Sequence, residues 1–178
     1  MFKAYDDSWA FGTPKKTGTH SVHSMLKQHG EIISPWHEPR WNLPETCTRY
    51  MIVRHPLDRL ASMYWFSRRV KSAWLKKHAD QGLEQWLEHF MRGDNTQWNG
   101  TLDAFASIWR PTKVFKIEDG FERIADHMFL SHSITCTPRK TNVTKSRADV
   151  AETFSEVSSE LMKAVHNWAQ ADMERWYL

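Results

Sequence analysis

Residues Trp9 to Val22 read WAFGTPKKTGTHSV, and residues Tyr50 to Tyr64 read YMIVRHPLDRLASMY. In the first stretch a short apolar run (Trp9, Ala10, Phe11) meets a lysine-rich turn that ends on Gly18. An amphipathic segment carrying Val22, Met25 and Leu26 follows. That order is strand, anion-binding turn, helix. In the second stretch the apolar run from Tyr50 to Val53 ends on Arg54. Pro56 then stands at a first helical position, with Arg59 and Ser62 on the helix it opens. Two anion-binding positions at two strand ends suit a ligand with two separated phosphate-like groups.

Outward from these stretches, apolar runs alternate with helical periodicity. This predicts an α/β protein with a parallel sheet flanked by helices, compact and of one domain over residues 1–178. Strands are expected at Trp9–Thr13, Glu31–Ser34, Arg49–Val53 and Val114–Ile117. Helices are expected at Gly18–His29, Pro56–Lys77, Leu83–Arg92, Phe121–Leu130 and Ser158–Trp176. Leu83, Trp86, Leu87 and Phe90 share one helical face, as do Leu161, Val165, Trp168 and Met173. Gly93–Gly100 and Ser131–Arg147 are polar and read as loops.

The two opening stretches resemble the nucleotide-binding core of the sulfotransferases that use 3′-phosphoadenosine 5′-phosphosulfate (PAPS), and the pattern is most similar to those acting on carbohydrates. The family's 5′-phosphosulfate loop has the form P-K-x-G-T-[TS], which Pro14, Lys16, Thr17, Gly18 and Thr19 match. Its 3′-phosphate motif is an Arg at a strand end, a Pro two residues on and a Ser eight residues after the Arg, matched by Arg54, Pro56 and Ser62, with Tyr64 beyond. The run VFKIEDGF from Val114 to Phe121 looks like the family's later strand with its acidic end, and Asp172 with Trp176 and Tyr177 looks like its closing segment. Two positions depart from the pattern: Lys15 is an additional lysine, and His20 stands where a second Thr or Ser is usual.

The resemblance implies a P-loop-like sulfotransferase fold and a set of site residues. Lys15 to Ser21 (Lys15, Lys16, Thr17, Gly18, Thr19, His20 and Ser21) would hold the 5′-phosphosulfate, with Lys16 at the bridging oxygen between sulfate and phosphate. Arg54 and Ser62 would hold the 3′-phosphate. Arg139 and Lys140 partly resemble a basic loop closing over the 3′-phosphate and adenine, although Thr141 stands where one branch has Gly. The physics is consistent with these roles. N–H groups at a helix start, together with the helix dipole, favour an anion by about 0.3–2 kcal/mol. An Arg fork on phosphate makes charged hydrogen bonds of about 1.5–3 kcal/mol each.

Sulfuryl transfer to a hydroxyl needs a general base, and His suits that near neutral pH. His37, between Trp36 and Glu38 just after the second expected strand, is the leading candidate, with Glu38 and His20 as alternatives. Donor PAPS, product 3′,5′-adenosine bisphosphate, no metal and a hydroxyl-bearing acceptor such as a glycan or small molecule complete the expectation. Trp36 and Trp41 permit sugar stacking but suit a phenol equally well.

Composition narrows the field further. A net charge of +3 suits an anionic donor and falls short of the clustered excess of a nucleic-acid binder. Arg68, Arg69, Lys71, Lys76 and Lys77 around Trp74 read as a solvated helix face or as a surface for an acidic acceptor. The two cysteines, Cys47 and Cys136, fit neither a metal spacing nor a disulfide framework. His20 and His23 lie three apart with no third ligand at a suitable spacing. No apolar run approaches a membrane span, so a soluble cytoplasmic protein without a membrane partner is expected. Two other function classes remain open. A P-loop kinase would need Gly-x4-Gly-Lys, whereas Gly12 to Gly18 is one residue too long and Thr19 follows Gly18. A non-catalytic anion-binding module would use the same loops.

Overall fold

The computed structural model describes residues 1–33, 42–69, 73–92, 100–138 and 147–178, with 73–76 and 147–150 as backbone only. The chain falls into two compact units: Met1–Arg54 with Ala104–Val143, and His55–Asp103 with Thr144–Leu178.

The first unit carries the sheet. Its strands are β1 (Phe2–Ala4), β2 (Trp9–Gly12), β3 (Gly30–Ile32), β4 (Thr48–Val53) and β5 (Lys113–Lys116), in the order β3-β1-β2-β4-β5. The pairs β2–β4 and β4–β5 are parallel, whereas β1 is antiparallel to both β2 and β3. The sheet is therefore mixed, which corrects the parallel sheet expected from the sequence. The cause is local: a tight turn between Ala4 and Trp9 folds the three-residue β1 back as a hairpin, with Phe2 opposite Phe11. Because β3 is antiparallel to a strand that is itself antiparallel to β2, β3 runs in the same direction as β2.

Alternation sorts the side chains of the strands. Phe2, Trp9, Phe11, Tyr50, Ile52 and Phe115 face a core shared with α1 (Thr19–Leu26) and α6 (Glu122–His132). These helices contribute Val22, Met25 and Leu26, and Ile124, Ala125 and Met128. Gly12 alternates to the other face, where the end of α5 (Leu102–Trp109) covers it. A Cβ on Gly12 would lie 2.7 Å from the Trp109 indole nitrogen. That indole N–H donates to the Tyr50 carbonyl at 2.8 Å, fixing the ring against β4.

The second unit is helical in its described residues: α2 (Pro56–Arg69), α3 (Ala73–Asp80), α4 (Leu83–Met91), α7 (Arg147–Phe154) and α8 (Ser159–Trp176). On α2, Leu60, Met63, Tyr64 and Ser67 are buried at i, i+3, i+4 and i+7, the stripe that a core-facing helix needs. They join Trp86, Leu87 and Phe90 of α4 and Val165 of α8 in one apolar cluster, apart from Ser67. Among the described residues no helix is long and apolar enough to cross a membrane.

Candidate functional site

The register aligns Gly12 with Met51 and Val53 with Lys116, so β2, β4 and β5 end on one edge of the sheet. Open α/β sheets build ligand sites outside that edge. Three segments meet it here. They are the turn Thr13–Gly18 after β2, Arg54 after β4, and the 3-10 turn Ile117–Asp119 after β5.

The turn is held from within. Thr17 donates both its N–H (3.3 Å) and its hydroxyl (2.7 Å) to the Pro14 carbonyl, so this buried side chain serves the turn itself. Lys16 (φ 66°) and Gly18 (φ 93°) are left-handed, and left-handed residues re-aim the N–H groups of a turn into anion-binding concavities. Glycine is required at position 18 on two counts. The conformation costs an L-residue about 1–2 kcal/mol, and a Cβ there would sit 2.9 Å from the Phe121 ring and 3.1 Å from Ile117. The β5–α6 junction thus forms the back wall of the turn.

Helix α1 starts immediately after Gly18, and no side chain caps its N-terminus. Such a start leaves N–H donors and the positive end of the helix dipole facing outward. Thr19 Oγ1, at its first position, is buried without a hydrogen-bond partner among the described residues. Lys15 and Lys16 are half-buried, His20 is exposed and Ser21 is buried. Arg54 is only 8% exposed, and its Nη1 donates to the Lys16 carbonyl at 3.4 Å. The first unit therefore brings together Lys16, Thr17, Gly18, Thr19 and Arg54. All were singled out from the sequence.

Ser62 belongs to the second unit, buried on α2. Arg59 lies one turn before it and is also buried. It donates to the Gly100 carbonyl at 2.9 Å and lies 5.9 Å from the Trp168 ring centroid. Burial pulls its guanidinium down to about 10, against the opposing pull of Asp172. Asp172 is itself fully buried and accepts the backbone N–H groups of Leu102 (2.8 Å) and Asp103 (2.7 Å), closing the start of α5. Burial raises its carboxyl despite those two bonds.

His37, Glu38, Trp36 and Trp41 lie outside the described residues, as do Arg139 and Lys140. The described chain leaves β3 at Ile33, whose N–H is bonded to the Met1 carbonyl. Since β3 runs with β2, that exit is on the edge that carries the turn. Sequence reasoning missed Ile117 and Phe121 as the wall behind Gly18, because no motif joins residues so far apart. Among the described residues no group of three or more His, Cys, Asp or Glu is placed to hold a metal ion. Compared with protein-family models, curated proteins and solved structures, the chain matches none of them.

Proposed function

We propose that the protein is a PAPS-dependent sulfotransferase with a P-loop-like sulfotransferase core, its donor seated on the edge where β2 and β4 end. The observation that carries the reading is the convergence of two motif matches. The left-handed, uncapped turn at Lys16–Thr19 and the buried Arg54 touch through the Lys16 carbonyl. The residues fit the donor's chemistry: the unpartnered, buried Thr19 hydroxyl and the α1 N-terminus suit a phosphate, and Arg54 supplies a second cationic position.

Bound, the donor supplies an activated sulfuryl group for an acceptor hydroxyl and leaves as 3′,5′-adenosine bisphosphate. The Lys16 ammonium opposes negative charge that grows on the leaving oxygen, which is worth on the order of 10²–10³ in rate for one preorganised donor. Thr19 and the first N–H groups of α1 hold the 5′-phosphate. Arg54 holds the 3′-phosphate, and His37 takes the acceptor proton. Transfer of labelled sulfate from PAPS to panels of glycans, proteins, lipids and small hydroxyl compounds tests the reading. Incorporation into one class is expected. No incorporation across all classes, with the bisphosphate still bound, favours a non-catalytic module.

A further inference from the structure

One buried phenol joins two histidines that the donor site does not use. Tyr50 Oη lies 2.7 Å from His132 Nε2 and 3.1 Å from His127 Nε2. His127 Nδ1 lies 3.0 Å from Lys113 Nζ. An ammonium can only donate, so His127 Nδ1 must accept. The neutral ring then carries its proton on Nε2 and donates to Tyr50 Oη. The Tyr50 hydroxyl in turn donates to His132 Nε2. Every proton in the chain Lys113–His127–Tyr50–His132 is thereby assigned, and an additional one on either ring costs a bond of the chain. A proton on His127 Nδ1 would set N–H against ammonium, and one on His132 Nε2 would leave the phenol facing two N–H donors.

We infer that Tyr50, His127 and His132 form an acid-sensitive latch holding α6 to the sheet, and that opening it loosens the donor loop at the other end of the same helix. Both histidines lie on α6, whereas Tyr50 is on β4 and Lys113 on β5. The helix begins beside Phe121, whose ring backs Gly18, and ends at His132, about 16 Å away at 1.5 Å per residue. The surrounding groups act in the expected sense. Burial and the Lys113 charge hold His127 below the ordinary histidine range, with His132 adding to the effect. Burial lowers His132 as well, opposed by Asp6 from the β1–β2 turn. Ser131 Oγ, 3.3 Å from His127 Nδ1, and the rings of Trp9 and Phe115 are uncharged neighbours. The Cys47 thiol, which burial also raises, stays neutral beside Tyr50.

The coupling to the loop rests on the donor-site reading, but its test needs no ligand. Amide hydrogen exchange of the full chain, corrected for intrinsic rates, is compared at pH 7.5 and 5.5. Exchange in residues 122–132 and in residues 17–21 is expected to rise severalfold at the lower pH. In His127→Gln/His132→Gln, whose amides can make the same bonds without titrating, it is expected to stay flat. NMR titration of the wild-type imidazoles gives a second readout that needs no variant, and both should titrate below free histidine. Ordinary titration, either segment unchanged in wild type, or a wild-type profile in the variant overturns the latch. Failure to bind the bisphosphate at pH 7.5 would instead sink the donor-site reading.

Discussion

Arg54 Nη1 reaches the Lys16 carbonyl at 3.4 Å, which ties the residue ending β4 to the turn that follows β2. At that length the bond is weak. Arg54 and Lys16, read from separate stretches of the sequence, are therefore neighbours in the first unit.

Lys16→Ala should lower turnover about 10²–10³-fold with a smaller change in donor affinity, because charge on the leaving group develops only in the transition state. Lys15→Ala should do less. Steady-state kinetics with PAPS checks the ranking, and the reverse order would move the role to Lys15.

The base assignment separates binding from chemistry. His37→Ala should bind the bisphosphate as wild type does yet lose about 10²–10⁴ in turnover. Calorimetry and rate measurements on the same preparation check this. Near-full turnover in His37→Ala, with Glu38→Gln or His20→Ala inactive, would reassign the base.

Gly18→Ala should destabilise the protein by about 1–2 kcal/mol from backbone strain alone, and by more because its methyl would meet the Phe121 ring at 2.9 Å. Gly100→Ala, where a Cβ meets nothing within 4 Å among the described residues, should be close to neutral. Thermal denaturation of the pair checks the contrast.

Stability should fall as the pH drops through the histidine range. His127 and His132 are depressed in the folded state. The unfolded chain therefore takes up protons first, and their contribution, full above about pH 6.5, is lost as pH falls toward their folded values. Asp172 has the opposite sign, since burial raises its carboxyl. Its contribution is full below the unfolded carboxylate value and is lost as pH rises through the folded one. Urea denaturation across pH checks this, and Tyr50→Phe should flatten the histidine part.

Much of the first unit was legible in the sequence because the relevant signals are local. Gly18 and Pro56 punctuate apolar runs, and that pattern yields β2, α1 and β4 there, and the start of α2 in the second unit. Within the helix expected over Pro56–Lys77, the described residues form α2 to Arg69 and α3 from Ala73, and residues 70–72 lie outside the described residues. Strand β1 escaped because three residues give too little alternation to read, and its antiparallel pairing then changed the sheet. Helix α5, eight residues rich in aromatic and small side chains, is too short for its periodicity to stand out. Its start is closed by Asp172, far along the chain. The Tyr50–His127–His132 arrangement is not legible in the sequence, because its partners are 77 and 82 residues apart.

The donor site is tested most directly by calorimetry with 3′,5′-adenosine bisphosphate and with AMP, which differ only in the 3′-phosphate. Wild type should prefer the bisphosphate. Arg54→Ala should lose most of that preference, on the order of 10–100-fold for a charged hydrogen bond to phosphate. Equal affinity of wild type for the two ligands would contradict the account.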